Sequence, residues 1–207
     1  MKNAALSRAL KWLFIAQLLS IVALLPLVYN LRSLLGAAAG LLTLAALVRA
    51  AREASGYRAT LVLCVANLVL GALSSVLLRW FIYFLIRMLG TWAVQIVGAF
   101  SALLSIAGMV LGLLILRQIC LTTAGLVDDP AVAARGIRAW RINLICTVAV
   151  LLLTAAVSAL LKIGLDMEKL LGLSTAVTLL SAVAQLAARV LYLHFLWQSA
   201  RCLSARD

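Results

Sequence analysis

The sequence predicts an all-α fold: a polytopic helical membrane protein of about six transmembrane helices, arranged as three hairpins with the N- and C-termini both in the cytoplasm. Three observations carry this. The 207 residues are 66% hydrophobic and 12% charged, with a mean hydropathy of +1.18, whereas a soluble domain is nearer half apolar with about a quarter of its residues charged. Uncharged runs recur at about the 18–20 residues that a helix needs to cross a hydrocarbon core of roughly 30 Å. The basic residues, finally, fall unevenly between the connections. The runs are apolar at consecutive positions, while a strand of a membrane barrel alternates apolar and polar over about ten residues, so a barrel is excluded.

The first span is 12–29. Its start, MKNAALSRALKW, has the basic opening of a secretory signal peptide, but Leu13 to Val28 is long for a signal core and a second apolar run follows at once. It is therefore read as a membrane helix. The second span, 33–48, is the shortest, because the cleanly apolar stretch Leu34–Val48 makes only about 22 Å of helix at 1.5 Å per residue. An alternative treats 12–48 as one broken element, giving five spans.

The third span is 59–79, followed by the aromatic stretch WFIYFLIRMLG at 80–90, which either extends the helix or lies along the outer interface. The fourth is 91–116. A polar connection at 121–140, LTTAGLVDDPAVAARGIRAW, follows on the cytoplasmic side. Within it Asp129–Pro130 is a helix-start signal, a capping residue with proline at the first helical position. It predicts a short basic helix over 130–140 leading into the fifth span, 142–161. The sixth span is 171–198. The hairpins so defined are 8–49, 57–120 and 140–202, in one integral membrane domain.

Topology rests on the positive-inside rule. With a cytoplasmic N-terminus, the inner segments hold Lys2, Arg8, Lys11, Arg49, Arg52, Arg58, Arg117, Arg135, Arg138, Arg141, Arg201 and Arg206. The outer ones hold Arg32, Arg79, Arg87, Lys162 and Lys169. Twelve against five places both termini inside and requires an even number of spans. The expected location is the cytoplasmic membrane. Trp12, Tyr57, Trp140 and Trp197 fall at inner ends and Tyr29, Trp80, Tyr83 and Trp92 at outer ends, the headgroup positions that Trp and Tyr favour.

A weak internal repeat is legible. Residues 58–78 laid over 141–161 match Arg58 with Arg141, Leu61 with Leu144, Ala72 with Ala155 and Ser75 with Ser158. Matches of leucine and alanine come easily in such a chain, so the arginine and serine carry the weight. A parallel duplication of the second and third hairpins would put a substrate site between repeats, as in some transporters.

Little in the chain can do chemistry. Cys64, Cys120, Cys146 and Cys202 lie toward cytoplasmic helix ends without a C-x-x-C pair, so they read as small packing residues rather than as disulfides or a metal site. His194 has no acidic companion on its helix and is expected to pack or hydrogen-bond. Asp166 and Glu168 are offset by Lys162 and Lys169 in an outer loop, and Asp128 and Asp129 form a cytoplasmic turn. The expectation is therefore no enzyme, no cofactor, no metal and no nucleic-acid partner. No carboxylate falls inside a span, which removes the usual carrier for proton or sodium coupling. Without a phosphate-binding loop, any energy from ATP needs a separate subunit.

Two stripes stand out. On the fourth span Ser101, Ser105, Gly108 and Gly112 follow the helical period, small residues that let helix backbones approach within the chain or in a homo-oligomer. On the sixth, Ser174, Thr178, Ser181, Gln185, Arg189 and Tyr192 form a polar face directed away from lipid. Asn67, Gln95, Ser74 and Gln17 are its candidate partners. Arg189 lies about 18 Å deeper than Arg201 along the helix, too deep to snorkel. With no carboxylate to neutralise it, Arg189 is the candidate contact for an anion, supported by Gln185, Ser181, Thr178, Asn67 and Gln95.

The expected function is a multi-pass membrane subunit that binds or translocates a small anionic solute, working with a separate energising partner. In size and topology it resembles the membrane substrate-capture subunits of energy-coupling-factor vitamin transporters, with no residue motif to carry the resemblance. The alternative is a non-enzymatic scaffold, sensor or assembly factor. Its basic cytoplasmic face would recruit an anionic lipid or an acidic protein partner.

Overall fold

The computed structural model describes residues 2–23, 31–89, 91–162 and 167–205. Tyr29, Asp166 and Arg206, expected as an outer aromatic, a loop carboxylate and an inner charge, lie outside the described residues. The protein is all-helical: α1 Lys2–Val22, α2 Arg32–Glu53, α3 Tyr57–Leu89, α4 Thr91–Leu126, α5 Pro130–Lys162 and α6 Met167–Ser204. All six are long and apolar enough to span a membrane, the mark of a membrane-embedded chain. Residues 34–53 form a full-length candidate on their own, so α2 is a separate helix and not part of a broken first one.

Composition explains the helices. Leucine and alanine have the highest helix propensities, and in lipid a helix satisfies every backbone polar group within its own segment. The helices nevertheless run past the apolar spans. The stretch after Trp80 continues α3, and the connection expected over 121–140 is helical except at Val127–Asp129. No separate short helix exists over 130–140: α5 begins at Pro130 and continues into the span. The cause of the start is local, because Asp129 Oδ1 accepts from the Ala131 N–H at 2.8 Å. The cap satisfies a donor that the first turn would otherwise leave unpaired.

Each helix packs against its neighbours in the chain, and α6 closes on α1. The six thus form a ring. Its core is concentrated at one end, where Leu10 and Leu13 of α1, Leu47 of α2, Tyr57 of α3, Ile119 of α4, Val132 of α5 and Phe195, Leu196 and Leu203 of α6 interlock. Two glycines let elements meet there. A Cβ on Gly136 would stand 2.6 Å from the Phe195 ring, and one on Gly56 would stand 2.7 Å from Thr122 Cγ2. The α2–α3 turn is thereby pressed against α4, with the Thr122 hydroxyl donating to the Gly56 carbonyl at 3.4 Å.

Polar groups tie the same end together. The Ser7 hydroxyl donates to the Ala200 carbonyl at 2.7 Å across α1 and α6, and the Tyr57 and Thr123 hydroxyls share a buried bond of 2.6 Å. Arg135 donates to the Gln198 carboxamide between α5 and α6. Around the rim, Arg49 stacks on Trp12 at 4.5 Å, Arg201 on Trp197 at 5.2 Å and Arg117 on Trp140 at 5.9 Å. Each arginine keeps its charge near water while covering an indole face.

Candidate functional site

Above the packed end the helices separate around a chamber of about 530 Å³, and all six contribute to its wall. From α1 come Ala16, Gln17 and Ser20; from α2, Gly36, Ala39, Gly40 and Thr43. From α3 come Cys64, Asn67 and Leu68, and from α5 Asn143 and Thr147. From α6, Arg189 and Tyr192 lie three residues apart and so share a face. The remaining wall is α4: Met109, Gly112, Leu113, Ile115, Leu116 and Ile119. On the far side of the chamber Ala23 is the only buried residue among those whose side chains are described, so the described core lies at one end and the other end is the looser.

The charge in this chamber is one-sided. Arg189 is half-buried, its Nη1 donates to Ser20 Oγ at 3.3 Å, and no Asp or Glu among the described residues lines the space. Several neighbouring polar groups spend their donors on backbone. Asn143 Nδ2 reaches the Ala139 carbonyl at 2.9 Å and the Ala188 carbonyl at 3.1 Å, which pins α5 to α6 one residue before Arg189. Thr147 Oγ1 donates to the Asn143 carbonyl at 2.7 Å, and Thr43 Oγ1 to the Ala39 carbonyl at 2.8 Å. Gln17 and Asn67 have no hydrogen bond among the described residues, leaving two carboxamides and most of the guanidinium facing the chamber.

The expected contacts divide. Arg189 and Asn67 come together in the chamber, with Gln17 and Tyr192. Gln185, Ser181, Thr178 and Gln95 do not reach it: Gln185 is half-buried, Thr178 donates back to the Ser174 carbonyl at 2.7 Å and is exposed, and Gln95 is exposed on α4. Ser181 places a buried hydroxyl without a partner. Their stripe keeps its helical period, but α6 continues beyond the chamber. The small-residue stripe of α4 also divides. Ser101, Ser105 and Gly108 face Asn67, Gly71 and Ser74 of α3 across a narrow crevice of about 230 Å³, while Gly112 turns into the chamber. His194, expected to pack or hydrogen-bond, is exposed on α6.

Sequence reasoning missed Asn143, Thr147, Ser20 and Thr43. The signal available was a polar pair four residues apart, Asn143 and Thr147, inside an apolar span. Cys64 and Cys120 are buried and Cys146 and Cys202 half-buried, all as free thiols. Among the described residues no three His, Cys, Asp or Glu side chains converge as a metal site would require.

Comparison with known proteins gives no match: no family model fits the chain, and no curated protein or solved structure matches it.

Proposed function

We propose that this chain is a membrane protein that binds or translocates a small anionic solute in the chamber between its six helices, with a separate partner supplying any energy. The observation that carries the reading is the guanidinium of Arg189 in a space of about 530 Å³ that no carboxylate lines among the described residues. Small-molecule sites fall at about 300–1,000 Å³ and use a few polar groups on a mostly apolar wall. A cation within a membrane span without a charged partner is a functional site by default. An anion would supply the missing charge and exploit the low local dielectric.

The distribution of basic residues supports an orientation. The closed end gathers Arg49, Arg52, Arg58, Arg117, Arg135, Arg138, Arg141 and Arg201, so the positive-inside rule puts it in the cytoplasm together with both termini. The three hairpins then enter from the cytoplasm, and the loose end faces outward. Accessibility labelling of single cysteines at 128–138 tests this: reaction with an impermeant reagent from outside intact cells overturns it.

Binding is tested by thermal unfolding of the purified protein with a panel of small anions and zwitterions, wild type against Arg189→Ala. Stabilisation of the wild type that is lost in the variant is the expected result. A panel that stabilises neither counts against the reading. The rim of Arg–Trp stacks favours one second reading, a scaffold held at anionic lipid by its basic end. Co-purification of a stoichiometric acidic partner with no solute response would favour it.

A further inference from the structure

One wall of the chamber, α4, presents no polar side chain among the described residues, while every other helix presents at least one, and the ring order fixes where that wall stands. In a ring of six helices joined in chain order, α4 stands opposite α1, three places round. The α1 side presents Gln17 and Ser20, and Arg189 of the adjoining α6 is bonded to that serine. The α4 side presents Met109, Leu113, Leu116 and Ile119, all on one helical face with Gly112 between them. These wall residues span about 15 Å along the helix. A charged head and an apolar body can therefore be held simultaneously, across the chamber from each other.

Charge counting narrows the head group. Among the described residues the lining contains one cationic residue and no acidic one. A second anionic group on the ligand would find no second cation, and an ammonium group would find no carboxylate; each would be an unpaired charge taken from water, which is expensive. Resting on the proposed anion site, we infer that the ligand is a water-soluble monoanion with a short apolar body, of the class of medium-chain or aryl monocarboxylates. Its carboxylate lies on Arg189 and Ser20, and its hydrocarbon lies against α4. The closed end limits how long that hydrocarbon can be.

A six-carbon series tests this with purified protein in detergent, read as Kd. Hexanoate is expected to bind about fifteenfold tighter than butanoate, from about fourfold per buried methylene. Hexanamide, norleucine and adipate keep the chain length but change the charge, and each is expected to bind at least about tenfold more weakly than hexanoate, hexanamide by losing a charge-assisted hydrogen bond and the other two by bringing in an unpaired charge. Arg189→Gln is expected to bring hexanoate down to the level of hexanamide. Should that variant fail to fold, Gly112→Leu serves instead. A Cβ there meets nothing within 4 Å, so the leucine enters the chamber along the α4 wall and is expected to weaken hexanoate binding at least about tenfold, with the variant's melting temperature reporting that it folds.

The outcomes separate the two claims. If no member of the series binds the folded wild type, the proposed function falls with the ligand class. If butanoate, phosphate and adipate bind as well as hexanoate, the anion site stands and the amphipathic class is overturned. Equal binding of hexanamide overturns the role of Arg189. Affinity that keeps rising through decanoate points to a membrane lipid and overturns the soluble class.

Discussion

Along α6, Phe195 is wholly buried while Leu180, on the same helix, is 64% exposed; along α2, Leu47 is wholly buried and Leu34 is 66% exposed. The contrast runs round the ring and divides the molecule into a close-packed end and a loose one. In the proposed orientation its cause is the solvent. Where the chain meets water, covering a leucine is favourable by about 25 cal/mol per Å² of apolar surface removed. Within hydrocarbon a leucine loses nothing by facing lipid, so helices there associate only through close fit and hydrogen bonds. The arginine-rich end is accordingly packed like a soluble core, with its cations stacked on indoles at the rim. The opposite end has no comparable drive to collapse, and the chamber survives between the two.

The largest effect expected from this comparison is on Phe195. Phe195→Ala, in the dense end, should cost about 3–5 kcal/mol of stability, as large-to-small changes of a buried aromatic do. Leu180→Ala, at the loose end, should change stability by no more than about 0.5 kcal/mol. Denaturant or thermal unfolding in detergent measures both. Equal losses would break the comparison, because the loose end would then need its own protein contacts.

Glycine gives the next effect, and it changes sign between the dense end and the chamber. Gly136→Ala puts a Cβ against the Phe195 ring at 2.6 Å, and the buried ring must shift, at about 1–3 kcal/mol for an overpacked core. Gly112→Ala meets nothing within 4 Å in mid-helix, so it should stabilise by about 0.4–1 kcal/mol. Melting temperatures that move in the same direction for both would mean that the chamber is filled by its own helices.

How much of this was legible in the sequence also differs between the ends. The six spans are legible because hydropathy records which segments meet lipid, and Asp129–Pro130 marked the start of α5 because capping chemistry is local. The dense end was read as a polar connection over 121–140. Its arginines are conspicuous in the chain, whereas the Thr123, Val127, Val132 and Ala139 that they surround become buried only when distant helices are laid against them, as Tyr57 of α3 is against Thr123. In the site, Arg189 stood out because a charge in an apolar run has no neutral explanation. Its partners did not, because a helical stripe fixes a face without showing how far along the helix that face stays covered. Asn143 reaches Ala188 across 45 residues and Ser20 reaches Arg189 across 169, a proximity that no local pattern encodes.

A smaller effect tests the polar ties of the dense end. Tyr57→Phe leaves the aromatic packing in place but removes one partner of the 2.6 Å bond to Thr123. Thr123 is wholly buried, so its hydroxyl is left unpaired at a cost of about 1–3 kcal/mol. The double variant Tyr57→Phe/Thr123→Val removes both hydroxyls at similar volume and should recover most of that loss. Failure to recover would show that the bond contributes more than its own satisfaction, by fixing the start of α3 against the end of α4.

The smallest effect concerns where the dense end stops. Asp129 caps α5 by accepting from the Ala131 N–H, and Pro130 has no N–H to satisfy. Asp129→Ala removes the cap and should cost about 1 kcal/mol, while Asp129→Asn keeps an oxygen acceptor and should be nearly neutral. The useful readout is local amide exchange over residues 130–140, with the global melting point as reference. Faster exchange confined to this turn means that the core around Val132 and Gly136 holds α5 without help from its cap. Spread of the effect to α6 through Phe195 means instead that the start of α5 and the closure of the ring are one cooperative unit.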